Sequence, residues 1–153
     1  MSRIICIEGP DNIGKTALCN ELDELHDAKT FHLGAPKEKG KKALNEQLAK
    51  LGDVLLRVAN TNGIHIEIWD RSVIGESVYG PLYRDYNHEM YWNALQNLKR
   101  YEEKIFFVVM YADAKTYIQW NVKPKDDEKE PYQLMENAAL VARRFVDVAS
   151  ANT

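Results

Sequence analysis

Apolar and polar positions along the chain change period repeatedly, from two or less to about 3.6 and back. Ile4-Ile5-Cys6-Ile7 is a short apolar run of the kind that makes a buried strand, and Ala17 to His26 then sets Leu18, Leu22 and Leu25 at helical spacing. Lys29 to Leu33 reads as a short second strand, stopped by Gly34-Ala35-Pro36. Leu44, Leu48, Leu51, Leu55 and Val58 recur at steps of four and three, predicting a long amphipathic helix that Asn62-Gly63 ends. Ile64 to Trp69 alternates as a third strand ending at Asp70, whereas Ile105 to Tyr111 is apolar without alternation and reads as a central buried strand. Between them lie a segment broken by glycine and proline, Gly75 to Tyr86, and a helix near Asn87 to Tyr101. A short helix over Ala114 to Asn121, a polar stretch from Val122 to Glu130 and a closing helix follow. That last helix carries Leu134, Ala138, Val141, Phe145 and Val148 on one face.

Strands that alternate with helices imply an α/β fold with a parallel sheet, here of about four strands, because parallel neighbours need helical crossovers. A length of 153 residues predicts a single domain, 1–153. The net charge of −3 argues against a general nucleic-acid coat protein but leaves room for a local basic patch. One candidate is Lys37-Glu38-Lys39-Gly40-Lys41-Lys42, read either as a solvated helix entrance or as a contact for substrate phosphates. The first strand begins almost at once, too soon for a signal peptide, and no apolar run approaches the ~20 residues of a membrane span. Cys6 and Cys19 lack C-x-x-C spacing, the usage of reduced, buried thiols in a cytoplasmic protein. The four histidines show no ligand spacing, so no structural zinc is expected.

The candidate chemistry begins with Gly9-Pro10-Asp11-Asn12-Ile13-Gly14-Lys15-Thr16, which fits G-x-x-x-x-G-K-[ST] without substitution, between a predicted strand and a predicted helix. Gly9 and Gly14 let the backbone curl so that consecutive N–H groups point at phosphate, and the helix adds its positive N-terminal end. The expected nucleotide-binding set is Gly9, Asn12, Ile13, Gly14, Lys15, Thr16 and Ala17, with Lys15 on the β- and γ-phosphates and the Thr16 hydroxyl on Mg²⁺. Phosphoryl transfer also needs a carboxylate and a balancing cation. Asp70-Arg71 stands at the carboxyl end of an internal strand, where Asp70 can hold Mg²⁺ or deprotonate an acceptor hydroxyl and Arg71 can clamp phosphate. The alternative is an ordinary strand-end ion pair. Downstream, Tyr79 and Arg84 are the candidate acceptor ligands, stacking on a base and binding a phosphate, with Tyr91 and Trp92 assigned to helix packing.

Ile7-Glu8-Gly9-Pro10-Asp11-Asn12-Ile13-Gly14-Lys15-Thr16 resembles the E-G-x-D-G-x-G-K-T loop of the thymidylate kinase family of P-loop kinases, with Asn12 where glycine is usual. Asp70-Arg71 resembles that family's D-R pair, and Asp70-Arg71-Ser72 is also similar to the E-R-S of deoxynucleoside kinases. The resemblance implies a P-loop kinase-like three-layer sandwich, ATP and Mg²⁺, Asp11 near the acceptor nucleoside, and catalytic roles for Lys15, Asp70 and Arg71. The chain departs from the pattern in its lid-like segment, about 119–133, which carries Lys123, Lys125 and Lys129 with Asp126-Asp127-Glu128 and no arginine. The second strand ends in Leu33-Gly34-Ala35-Pro36 without the acidic or arginine residue that relatives use on the acceptor, and the fifth strand of relatives is not expected.

The leading expectation is an ATP-dependent kinase acting on a deoxynucleoside-type acceptor. The acceptor placed first is the hydroxymethyl group of 5-hydroxymethyluracil within DNA, in a branch found in bacterial viruses, which would place the protein in the host cytoplasm. The other is a free deoxynucleoside monophosphate. A third reading, from a different class, is a nucleotide-binding switch that transfers to no acceptor.

Overall fold

The computed structural model describes residues 3–34, 36–60, 66–85, 93, 103–121 and 131–151. Its strands are β1 (Arg3–Glu8), β2 (Lys29–His32), β3 (Ile66–Asp70) and β4 (Ile105–Val109), all parallel and in the spatial order β2-β3-β1-β4. The helices among the described residues are α1 (Lys15–His26), α2 (Gly40–Asn60), α3 (Val73–Tyr83), α4 (Ala114–Asn121) and α5 (Pro131–Ala151). β1 is internal because both of its faces are apolar. Ile4 and Cys6 pack with Trp69 and with Leu44, Leu51 and Val54 of α2, whereas Ile7 packs with Ile68 and with Cys19 of α1. α1 therefore covers one face and α2 the other, making the sheet the middle of three layers. This is the expected α/β P-loop kinase-like sandwich with a four-stranded parallel sheet. Cys6 and Cys19 are free and buried.

Ile105–Val109 is an edge strand rather than the expected central one. Ile105 is buried, but Phe106 and Val108 are 42% and 38% exposed on the α1 side, because α1 lies over β1 and β3. An apolar run without alternation does not distinguish a strand covered on both faces from an edge strand covered on one. The stripe on α1 also narrows, since Leu18 and Leu22 pack inward around Cys19 whereas Leu25 is 70% exposed.

The expected broken segment is a helix. α3 starts at Ser72, whose hydroxyl accepts from the Ile74 N–H at 3.3 Å, a side-chain cap that helix starts favour. Gly75 reflects close approach, since a Cβ there would meet Glu8 Oε2 at 2.6 Å. Pro81 falls in the last turn, where it removes one helical hydrogen bond to the Ser77 carbonyl, and the Arg84 N–H ends the helix on the Gly80 carbonyl at 2.9 Å. Val78 of α3 packs with Val141 and Phe145 of α5, and the Tyr79 and Phe145 rings meet edge to face at 5.8 Å. The expected helix near 87–101, with Tyr91 and Trp92, and most of the lid-like segment lie outside the described residues.

Glu8 fastens β1 to the start of α3. It is buried, its Oε1 accepts from the Ser72 N–H, and burial pushes its carboxyl up to about 7, against the opposing pull of Ser72 and Lys15.

Two stability predictions follow from this packing. Phe145→Ala should lower the free energy of unfolding by about 3–5 kcal/mol in urea denaturation, while Leu25→Ala on the exposed rim should change it by no more than about 0.5 kcal/mol. Equal effects would contradict the packing of α5 on α3. For Glu8, folded and unfolded chains are both protonated well below its ordinary value of 4.5. As pH rises from there to about 7 the unfolded chain releases a proton that the folded chain keeps, so stability falls through that window and stays lower above it. Glu8→Gln should flatten this slope, on the order of 1–3 kcal/mol between about pH 5 and about pH 8. A variant retaining the wild-type slope would exclude Glu8 as its source.

Candidate active site

Between the end of β1 and the start of α1 the backbone reverses through three left-handed residues, Gly9 (φ 151°), Asn12 (φ 58°) and Gly14 (φ 103°). Asparagine tolerates this region better than most side chains, which accounts for Asn12 at a position where the resembling loops carry glycine. Gly9 is also required by space, because a Cβ there would come 2.6 Å from the Met110 carbonyl oxygen. Lys15 is buried, and its Nζ donates to the carbonyls of Gly9 and Pro10 at 3.0 and 2.6 Å. Burial, then the neighbouring Arg71 cation, press its titration downward. From α4, the Tyr117 hydroxyl donates to the Asp11 carbonyl at 2.9 Å and braces the loop.

The adjacent strand brings the carboxylate. Ile7 of β1 is in register with Asp70 of β3, and the Arg71 N–H donates to the Ile7 carbonyl at 2.9 Å. Asp70 is buried, its Oδ2 accepting from the Thr16 hydroxyl at 3.4 Å and lying 3.0 Å from His32 Nδ1. The other oxygen, Oδ1, is buried with no hydrogen-bond partner among the described residues. Arg71 takes a left-handed backbone (φ 79°), a strained conformation for a side chain of its size, and its guanidinium pairs with the Asp11 carboxylate. The same guanidinium stands 6.0 Å from the Tyr79 ring centroid.

Two cavities open at the carboxyl ends of the strands, where parallel sheets place their ligands. One, of about 590 Å³, is lined by Asn12, Gly14, Lys15, Thr16, Ala17 and Asp70. The other, of about 500 Å³, is lined by Tyr79, Tyr83, Arg84 and Tyr117 together with Asn137, Ala138 and Val141 of α5. Asp11, His32 and Arg71 line both. The first cavity thus gathers most of the expected nucleotide-binding residues. Gly9 and Ile13 stand apart, with Ile13 Cγ2 packed beside Gly9 behind the loop. The second gathers Asp11, Arg71, Tyr79 and Arg84, the four expected acceptor ligands, although Arg84 also pairs with Glu76.

Three side chains at this crevice were not singled out from the sequence. His32 ends β2, and strand-end position was the signal that could have found it. Tyr117 and Glu8 act through contacts distant in sequence or through burial, which no local pattern reveals. Burial, then the Asp11 carboxylate, push the Tyr117 phenol up to about 12 and the Tyr79 phenol upward as well, so both keep their protons.

The donor set suits Mg²⁺. The Thr16 hydroxyl and Asp70 carboxylate meet at 3.4 Å, and the unpartnered Asp70 Oδ1 is a hard oxygen with capacity to spare. Among the described residues no group of three or more His, Cys, Asp or Glu side chains could hold a metal. An ion bound through one carboxylate, one hydroxyl, phosphates and water requires none.

No family model and no curated protein matches the chain. Solved structures do. The YorR protein from Bacillus subtilis, in complex with phosphorylated GDP, is 20% identical with a TM-score of 0.62, over 94% of this chain and 79% of its own. Deoxyadenosine kinase from M. mycoides, solved with the products dCMP and a flexible dCDP, is 16% identical with a TM-score of 0.55, over 97% and 84%. The same kinase with bound dATP gives a TM-score of 0.54 at 16% identity, over 98% and 85%. At these identities the likeness is one of fold: the chain has the architecture on which those nucleotide-binding proteins are built.

Proposed function

We propose that the chain is an ATP-dependent kinase, acting as one domain over residues 1–153, that transfers a γ-phosphoryl group to a deoxynucleoside-type acceptor. The observation that carries this reading is the meeting of two nucleotide-sized cavities at Asp11, His32 and Arg71, one floored by the phosphate loop and the other walled by aromatic rings. A switch protein needs the first cavity but not the second. The deoxynucleotides named with the deoxyadenosine kinase structures support the same reading.

In this reading the loop N–H groups and the α1 N-terminus bind the donor phosphates, and Lys15 exchanges the Gly9 and Pro10 carbonyls for phosphate oxygens. Thr16 and Asp70 would hold Mg²⁺, which supplies charge neutralisation across the phosphates when bound. Arg71 sits between the cavities, where a planar fork can grip the group in transit. Asp70 is the candidate to receive the acceptor proton if its free Oδ1 faces the acceptor hydroxyl rather than the metal. Tyr79 offers the base a ring face, and Arg84 a cation beside it. No helix among the described residues is long and apolar enough to cross a membrane, and we assign the enzyme to the cytoplasm.

The acceptor cavity has the volume of a small-molecule site and is bounded on one side by α5, which favours a compact acceptor such as a free deoxynucleoside or its thymidylate-like monophosphate. One observation favours the other reading, the hydroxymethyl group of 5-hydroxymethyluracil in DNA. Lys37, Lys39, Lys41 and Lys42 are exposed, and the Gly40 N–H ties their segment to the Arg84 carbonyl at the cavity wall, at 2.8 Å. Such lysines can track a phosphodiester backbone.

Labelled ATP incubated with deoxynucleosides, their monophosphates, plain DNA and hydroxymethyluracil-containing DNA separates these readings. Label on a free acceptor is the expected outcome; label confined to the modified polymer would replace the first acceptor by the second, and hydrolysis that no acceptor accelerates would leave only the switch. Lys15→Ala should lower transfer at least about 100-fold on every acceptor. Asp70→Asn should depress kcat more than ATP binding if Asp70 takes the proton, whereas equal losses would assign it to the metal.

A further inference from the structure

Two stretches distant in sequence run side by side at the phosphate loop and are joined at three successive levels. The Met110 N–H donates to the Glu8 carbonyl at 2.8 Å, the Met110 carbonyl lies against Gly9, and the Tyr117 hydroxyl donates to the Asp11 carbonyl at 2.9 Å. The third junction starts from a fixed helix end. Asp113 caps α4, its carboxylate accepting from the Thr116 N–H at 3.0 Å, and the buried Tyr117 is the next residue. The loop carbonyls are thereby divided between two side chains. Lys15 holds those of Gly9 and Pro10, and Tyr117 holds that of Asp11.

The two holds differ in what a donor nucleotide does to them. In the kinase reading Lys15 leaves its carbonyls for phosphate oxygens, whereas a neutral phenol on a packed helix has no such exchange to make and keeps Asp11. Asp11 is also the residue whose carboxylate pairs with Arg71, and that pair is open to water, the Asp11 and Arg71 side chains being 57% and 33% exposed. An ion pair so exposed is weak and does not by itself fix a long, flexible side chain. Its geometry has to come from the two backbones that carry it. On the Arg71 side the N–H is bonded to the Ile7 carbonyl, beside a left-handed φ of 79°. On the Asp11 side the matching anchor is the Tyr117 hydroxyl. We infer that Tyr117 is a positioning residue for the transfer step, holding Arg71 at the junction of the two cavities through Asp11, an inference that rests on the kinase reading of the site. Donor affinity rests on Lys15 and the loop N–H groups, so loss of the hydroxyl falls on transfer.

The test uses the full chain, with ATP affinity read by equilibrium dialysis and kcat by labelled ATP. The acceptors are deoxyadenosine, deoxycytidine, thymidine, their monophosphates and hydroxymethyluracil-containing DNA. Tyr117→Phe keeps the buried ring and removes only the hydroxyl. Its ATP affinity should stay within about twofold of wild type, while kcat falls about 3- to 10-fold on whichever acceptor takes label. Asp11→Ala should lower kcat at least as much. In the double variant the losses should not multiply: with the carboxylate gone, removing the hydroxyl should change kcat by less than about twofold, although the Asp11 carbonyl is still there to be bonded. A tyrosine that merely braces the loop would show its full loss in both backgrounds, and that result would overturn the positioning role. So would an ATP affinity that falls in step with kcat, or an unchanged kcat in Tyr117→Phe. A wild-type chain that transfers to none of these acceptors removes the kinase reading and this inference together, whereas transfer with multiplying losses removes the positioning role alone.

Discussion

The register between β1 and β3 is the constraint on which the crevice depends. Parallel pairing sets Ile7 beside Asp70, and the next peptide N–H, that of Arg71, closes on the Ile7 carbonyl. The phosphate loop leaves one strand and the carboxylate-guanidinium pair leaves its neighbour at the same level, so both open into one space. Side chains alternate along a strand, and a slip of one residue would exchange the faces of β3. Trp69 would then leave the core that it shares with Ile4 and Cys6, and Asp70 would turn from Thr16. Apolar packing on both sides of the sheet therefore fixes the position of the polar chemistry at its end.

Burial at that end has a second consequence. Glu8, Ser72 and Gly75 meet where β1 ends and α3 begins, and a Cβ at Gly75 would force the Glu8 carboxylate to shift. The same contact orders the start of α3, which then carries Tyr79 and Tyr83 to the second cavity. A carboxyl buried this deeply is costly in its charged form, which is why its titration moves upward. The wall of the second cavity is thus built on a polar group that the solvent does not reach.

Those features also explain what the sequence disclosed. The phosphate loop was legible because its chemistry is contiguous: glycines, lysine and threonine within one turn, flanked by a strand and a helix. Asp70 and Arg71 were legible because a strand end is a local signal, and Tyr79 and Arg84 because they follow it closely. Contacts formed by folding were not. The Arg71–Asp11 pair joins positions 60 apart, and Tyr117 reaches Asp11 from 106 residues downstream. The edge position of β4 and the helical state of α3 eluded local reading for a related reason. A sheet's strand order is set by packing, and a capped helix tolerates a glycine in contact with a neighbour and a proline near its end.

The charges at the crevice are balanced within the protein, and the balance is unequal in a way that bears on selectivity. Lys15 is held by neutral carbonyls, so exchange for phosphate oxygens replaces dipoles by full charges and gains strongly in a buried setting. Arg71 and Arg84 are held by the carboxylates of Asp11 and Glu76, and a phosphate that takes either one must displace a charge of its own sign. The gain there is small unless the incoming group offers more charge or better geometry than the carboxylate it replaces. In the proposed kinase reading, donor binding would therefore be driven at the loop, while the arginines would respond to how a second ligand is placed. Differences in binding between two states of a ligand, rather than binding itself, are what accelerate transfer. In the proposed transfer, an arginine pre-engaged by Asp11 at the junction of the two cavities would contribute little to holding the donor and most where charge builds between donor and acceptor.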